Sequence, residues 1–195
     1  MNKSDDRQPG KRAIFIDRDG TLNEEVGYIR ELRQFRLYDF AAEAVRLINT
    51  AGWRAIVITN QSGIARGLLT EDFLTEIHGQ MNAELARADA RVDAIYHCPH
   101  HPNFGEPPFR LDCDCRKPKP GLLRRAAADF QLDLSASVVI GDRFRDVETA
   151  QAVGAKGVLV LTGYGREELE TQSAVQPDHI AVNLLEAVRW VINES

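Results

Sequence analysis

Cysteine is scarce in this 195-residue chain: there are three, and all lie between Cys98 and Cys115, together with two of the five histidines. Disulfides spread along the fold are therefore excluded, and an odd, bunched set reads as a thiol or metal site in a reducing cytoplasm. Long apolar runs are missing as well. Stretches such as Ala55-Ile56-Val57-Ile58 and Val158-Leu159-Val160-Leu161 fall far short of the roughly 20 residues that cross a bilayer. The opening MNKSDDRQPGKR has no apolar core of a secretory leader, and none is expected. Positive charge is not in excess either. With 24 Lys and Arg against 29 Asp and Glu the net charge is −5, which leaves no electrostatic footprint for nucleic acid or an anionic membrane. Glycine and proline, 14 and 8 residues, are too few for collagen-like or low-complexity chains. What is present is an apolar fraction of 44%, ordinary for one globular domain.

Residues 1–11 are polar and end near Pro9-Gly10, and are expected to form a disordered arm ahead of a single domain over 12–195. Wholly apolar runs then alternate with helical patterns. Ala13 to Asp17, Arg54 to Thr59, Ala94 to His97, Ser137 to Gly141 and Gly157 to Leu161 read as buried strands, and His179 to Val182 as a weaker one. Near-continuous apolar strands suit a parallel sheet covered on both faces. Helices are expected over 39–51, 71–88, 121–130, 146–153 and 183–192. Phe73, Ile77, Met81 and Leu85 repeat every four residues in the second, with Thr70 as its N-cap. The β-α-β-α order predicts an α/β, doubly wound, mostly parallel sheet of the Rossmann-like kind. It carries an irregular insertion from about Pro99 to Pro120. A monomer is expected, because no heptad stripe or long exposed apolar strand is evident.

In open sheets of this type chemistry collects beyond the carboxyl ends of the strands. There the sequence places Asp17-Arg18-Asp19-Gly20-Thr21, Thr59-Asn60-Gln61-Ser62-Gly63 and Gly141-Asp142-Arg143-Phe144-Arg145-Asp146, with Arg116-Lys117 opening a later helix. Asp17, Asp19 and Asp142 brought together would repel one another unless a hard cation lay among them, and an all-oxygen donor set suits Mg²⁺. Carboxylate, hydroxyl, lysine and Mg²⁺ at one point describe phosphoryl transfer with an aspartate nucleophile. Asp146 fits either a supporting role near the metal or a simple helix-start carboxylate. Arg143 fits either a place beside the phosphate or a solvated position. Glu24-Glu25-Val26-Gly27-Tyr28 offers acceptors and an aromatic edge to sugar hydroxyls, or else an ordinary surface turn.

The insertion carries Cys98-Pro99-His100 and Cys113-Asp114-Cys115. Two close pairs of N and S ligands meet the needs of a closed tetrahedral Zn²⁺ site. His97 and His101 compete for the fourth position, and strand alternation does not decide among the histidines.

Asp17-x-Asp19-Gly20-Thr21, Thr59, Lys117 and Gly141-Asp142-x-x-x-Asp146 resemble the four motifs of the haloacid dehalogenase-like superfamily and span most of the chain. The C-x-H…C-x-C-R-K-P loop is similar to that of its histidinol-phosphate and heptose-bisphosphate phosphatase branch. The resemblance implies that Asp17 is the nucleophile and Asp19 the general acid and base. Thr59 would bind the phosphoryl oxygens and Lys117 would screen their charge. Asp17, Asp142 and the backbone carbonyl of Asp19 would hold Mg²⁺, with Arg143 adjacent. It implies a structural Zn²⁺ on Cys98, His100, Cys113 and Cys115. It also implies substrate contacts from Glu25, Val26, Gly27 and Tyr28, from Thr59, Asn60, Gln61 and Ser62, and from Arg116 and Lys117. The stretch from Gly20 to Asp39 is too short for a cap domain, so the site should be shallow, roofed by the 22–36 loop and the zinc loop. The implied reaction removes the C7 phosphate of D-glycero-D-manno-heptose 1,7-bisphosphate, a phosphorylated sugar of lipopolysaccharide precursor synthesis. Histidinol phosphate is the alternative substrate, and a phosphoacceptor signalling domain the alternative class.

Overall fold

Aliphatic and β-branched runs with no polar interruption have no face to offer water, so they pair side by side and are covered above and below. In the computed structural model, which describes residues 11–171 and 173–194, they do so as β1 (Ala13–Ile16), β2 (Arg54–Asn60), β3 (Ala94–Cys98), β4 (Val138–Gly141), β5 (Lys156–Val160) and β6 (His179–Ala181). The order across the sheet is β3-β2-β1-β4-β5-β6 and every neighbouring pair is parallel. Residues 1–10 of the expected arm lie outside the described residues. Lys11 is described, and its carbonyl accepts a hydrogen bond from the Asp133 amide at 2.7 Å.

The helices are α1 (Ala41–Thr50), α2 (Glu71–Arg87), α3 (Gly121–Phe130), α4 (Phe144–Gln151), α5 (Gly165–Glu170) and α6 (Leu184–Asn193). Strand alternation divides the core into two layers. Ile14, Ile16, Val57 and Ile140 pack with Val45 and Ile48 of α1, Ile77 and Met81 of α2, and Val188 of α6. Phe15, Ile56, Ile58 and Val139 face the other way, onto Leu122, Leu123 and Ala126 of α3 and Ala150 of α4. Caps act where their residue types predict. Thr70 accepts from the Phe73 amide and Asn183 from that of Glu186.

Three details differ from the sequence reading. Helix α2 buries Leu74 with Ile77, Met81 and Leu85, while Phe73 is only partly covered, so its stripe turns by one residue. Helix α4 begins at Phe144, two residues ahead of Asp146. Helix α5, short and rich in glutamate, carries no apolar stripe for periodicity to detect. The order of the sheet puts its reversal between β1 and β4, and the crevice beyond their carboxyl ends is where the fold opens a site.

Candidate active site

The β1 ladder runs one residue past the strand: the Asp17 amide donates to the Ile140 carbonyl at 2.9 Å. This anchors Asp17 at the switch point. Its Oδ1 accepts from Lys117 Nζ at 2.8 Å and from the Arg18 amide at 2.7 Å. Lys117 is buried, and its Nζ also meets Asp146 Oδ1 at 2.7 Å and the Ile58 carbonyl at 3.0 Å. One of its hydrogens goes to that carbonyl, and its charge faces both carboxylates. Asn60 holds the backbone that delivers this lysine: its Oδ1 accepts from the Lys117 amide at 3.0 Å and its Nδ2 donates to the Lys117 carbonyl at 3.1 Å.

Asp142 enters from the end of β4. The Tyr164 amide donates to its Oδ2 at 2.8 Å. Two glycines make room for it: a Cβ on Gly20 would lie 2.2 Å from that oxygen and one on Gly163 2.1 Å, and both have positive φ, +83° and +52°. Asp146 serves twice. Its Oδ2 accepts from the Arg143 amide at the start of α4, and its other oxygen meets Lys117. One side chain thus caps the start of α4 and meets the buried lysine.

Asp17, Asp142 and Asp146 each bring an oxygen within 4.8 Å of the others, and Lys117 is the cation they share. Burial pushes the Asp17 carboxyl up to about 6 against the pull of Lys117. Burial, with Asp17 and Asp146 nearby, pushes Asp142 up to about 8. Burial works against the charge on Lys117, but Asp146 and Asp17 outweigh it and its pKa rises. A buried cluster of hard oxygen donors, short of positive charge, fits Mg²⁺.

Asp19 faces the other way. Arg18 Nη2 donates to both of its oxygens at 2.9 and 2.8 Å, Asn23 Nδ2 to Oδ1 at 3.1 Å, and Gln61 Nε2 to Oδ2 at 2.8 Å. Burial pushes its pKa up, but Arg18, Asn23 and Gln61 more than reverse this, and the net shift is downward. Thr59 is buried beside it, its Oγ1 accepting from the same Gln61 amide at 2.8 Å.

These groups floor a cleft of about 230 Å³ whose walls are Glu25, Gly27 and Tyr28 on one side, Thr59, Asn60 and Ser62 on another, and Arg143, Arg145 and Tyr164 on the third. Val26 is exposed but off the wall, Gln61 is buried behind Asp19, and Arg116 turns its guanidinium to the His100 carbonyl at 3.4 Å. The zinc loop does not line the cleft as expected: it packs through Gly105 and Phe104 against Ala65 and Arg66, and Tyr164, from the turn after β5, lines the cleft instead. Arg143 lies 3.5 Å over the Tyr164 ring and pairs with Glu168 at 3.3 Å. Its guanidinium only donates and ligates no metal. Arg145 and Tyr164 went unnoticed in the sequence. The Gly163-Tyr164-Gly165 spacing directly after a strand was the available signal, since a Cβ on Gly165 would strike the Val160 carbonyl at 1.8 Å.

In the insertion, Cys98 at the end of β3, His100, Cys113 and Cys115 gather their ligand atoms within 4.8 Å. The sulfur of Cys113 lies 3.5 Å from that of Cys98 and 3.2 Å from that of Cys115, and His100 Nδ1 lies 3.4 Å from Cys115 Sγ. No pair is a disulfide. The separations approximate the edges of a tetrahedron with metal–sulfur arms of about 2.3 Å. His101 is out of the cluster, its Nδ1 accepting from the Asn103 amide and its ring against Phe104. His97 lies beside His78 instead.

A parallel sheet of this order, with an aspartate pair leaving β1, a buried lysine and further carboxylates after β4, defines a phosphatase of the haloacid dehalogenase class. A family model described as "HAD-hyrolase-like" matches residues 114–187. The chain is 41% identical over 187 residues to the D-glycero-D-manno-heptose-1,7-bisphosphate 7-phosphatase of Chlorobaculum tepidum, covering 93% of this chain and 94% of that protein. It is 45% identical over 153 residues to the D-glycero-beta-D-manno-heptose-1,7-bisphosphate 7-phosphatase of Escherichia coli, covering 77% and 80%. The crystal structure of a D,D-heptose 1,7-bisphosphate phosphatase from B. bronchiseptica, complexed with magnesium and phosphate, superposes with a TM-score of 0.85 at 32% identity, over 94% of this chain and 99% of that one. The chain belongs to the heptose-bisphosphate phosphatase family of the haloacid dehalogenase-like hydrolases. Among the described residues no helix is long and apolar enough to cross a membrane.

Proposed function

We propose that the chain hydrolyses the C7 phosphate of D-glycero-D-manno-heptose 1,7-bisphosphate to the 1-phosphate, with residues 12–195 acting as one domain, a cytoplasmic monomer that needs neither nucleic acid nor membrane. The observation that carries the substrate is the 41% identity, across 93% of the chain, with a protein named for that reaction. Histidinol phosphate is not favoured by these relatives. A phosphoacceptor domain would set its acidic pair and its acceptor on different strands, whereas Asp17 and Asp19 both leave β1.

In this reading the Asp17 carboxylate attacks phosphorus and the P–O7 bond breaks, with Asp19 delivering a proton to the departing oxygen. Asp19 then takes a proton from the water that attacks the aspartyl phosphate, and the new P–O bond frees Asp17 and inorganic phosphate. Lys117 and the Arg18 amide both bind Oδ1 of Asp17, which leaves Oδ2 for the attack. The five donated hydrogen bonds on Asp19 favour its carboxylate, the form that activates water. Asp17, Asp142 and the Asp19 carbonyl would hold Mg²⁺, which would neutralise charge on the phosphoryl group. Zn²⁺ on Cys98, His100, Cys113 and Cys115 would keep the segment leading to Lys117 in place. Glu25, Gly27, Tyr28 and Ser62 would meet the sugar. Phosphate release with Mg²⁺ tests the substrate: kcat/KM should favour the heptose bisphosphate over histidinol phosphate by tenfold or more. A tenfold preference the other way overturns the reading.

A further inference from the structure

Arg18 sits between the two catalytic aspartates, and its guanidinium is almost wholly buried, 2% exposed. Three of its hydrogen bonds go to Asp19: Nε to Oδ1 at 3.1 Å and Nη2 to both oxygens. The other end of the fork, Nη1, faces Nε2 of His78 at 3.2 Å. A guanidinium only donates. His78 must therefore accept at Nε2 and carry its proton at Nδ1, a neutral ring in one tautomer. Burial and the neighbouring Arg18 charge agree, holding the imidazole well below its usual range, at about 3. His78 projects from α2, whose Ile77 and Met81 are locked into the core, and its ring packs near that of His97 from β3, with centroids 6.1 Å apart.

We propose that His78 is a positioning residue for the hydrolytic reaction, a neutral acceptor that fixes the Arg18 fork and thereby the carboxylate of Asp19. The proposal rests on the reading of Asp19 as general acid and base. Without an acceptor at position 78 the Nη1 hydrogen is left without that partner, and the fork is free to turn away from Asp19. Asp17 keeps its own contacts to Lys117 and the Arg18 amide, so the nucleophile is untouched. The consequence is selective. Steps that pass a proton through Asp19 slow down, whereas attack on an ester whose leaving group departs without a proton does not.

The test compares wild type, His78→Leu and His78→Gln in the presence of Mg²⁺. With p-nitrophenyl phosphate, whose leaving group needs no protonation, the pre-steady-state burst reports attack by Asp17. Steady-state turnover of a primary phosphate ester reports the proton transfers. His78→Leu should keep the burst rate within about twofold while kcat on the primary ester falls about tenfold at little-changed KM, part of the 10²–10⁴ that acid–base catalysis supplies. His78→Gln, whose amide oxygen can accept from Nη1, should recover most of that loss. Equal losses in burst and steady state, no loss at all, or His78→Gln as impaired as His78→Leu would overturn the proposal. Each readout is a ratio to wild type, so the outcome does not depend on which sugar phosphate is preferred.

Discussion

The cleft and the cysteine cluster are both crowds of incipient anions, and they handle the crowding differently. At the cleft, Asp17 and Asp146 pair with a built-in cation, Lys117, and Asp142 lies beside them. In the insertion the thiols lean on one another and on His100, and the Arg116 guanidinium, close enough to act on Cys98 and Cys113, is turned to the His100 carbonyl. Hydrogen bonding from Cys98, and burial, push the Cys115 thiol pKa upward, and burial raises that of Cys113. A carboxylate cluster with its own cation keeps its shape as divalent metal and phosphate come and go. A thiol cluster whose members bond mainly to one another is ordered by its metal or by protons, which suits a permanent fastener. The two sites meet where Cys115 is followed by Arg116 and Lys117, and again where the Gln61 backbone amide donates to the Cys98 carbonyl at 2.8 Å.

The largest effect should come from the cleft itself. Asp17→Asn keeps the shape of the side chain but removes the nucleophile, and turnover of every phosphate ester should fall by more than about 10³-fold, measured as phosphate release. Residual activity within a factor of ten of wild type would end the covalent mechanism.

Next comes the fastener. A zinc-selective chelator, with Mg²⁺ kept in excess, should lower kcat about tenfold by loosening the segment that carries Lys117, and Zn²⁺ should restore it. Full activity in protein shown by metal analysis to lack zinc would break the comparison, leaving the insertion with no hold on the site.

The burial of the carboxylate cluster sets a pH signature. In metal-free protein the folded Asp17 and Asp142 titrate at about 6 and about 8, against 3.8 for the ordinary carboxyl. Between those limits these two carboxyls hold more protons in the folded chain than in the unfolded one, so their contribution to stability falls as pH rises from about 4 to 8. Mg²⁺ replaces those protons. Its stabilisation should therefore be large at pH 8 and small at pH 5, read as the shift in Tm at each pH. An equal shift at both would mean that Lys117 alone already balances the cluster.

How much of this was legible follows the same physics. The strands were readable because a sheet covered on both faces leaves no polar positions to confuse the pattern. Five of the helices were readable from stripes and caps. Helix α5 was not, because residues 165–170 are held by the glycine turn before them and not by an apolar face. At the site, Asp17, Asp142 and Lys117 were visible because charge at a strand end needs a reason. Asn60 and Gln61, expected at the sugar, also bond to Lys117 and to the Asp19–Thr59 pair, and Asn60 lines the cleft as well. An amide side chain serves protein or ligand equally well, and only coordinates separate the two. Arg18 and His78, sixty residues apart in sequence, carry no joint signature along the chain.

The smallest effect decides how the two regions share Lys117. Its backbone is tethered from the zinc side by Cys115 and from the sheet side by the paired hydrogen bonds of Asn60 at the end of β2. Asn60→Ala removes the second tether. Lys117 is buried, so leaving its amide and carbonyl without these partners should cost about 2 kcal/mol by urea denaturation. If each tether holds the lysine by itself, zinc-loaded Asn60→Ala should keep most of its kcat, and chelation should cost the variant far more than the tenfold it costs wild type. If the losses from chelation and from Asn60→Ala simply multiply, the tethers act on different motions. The zinc cluster then contributes to the cleft by some route other than the position of Lys117.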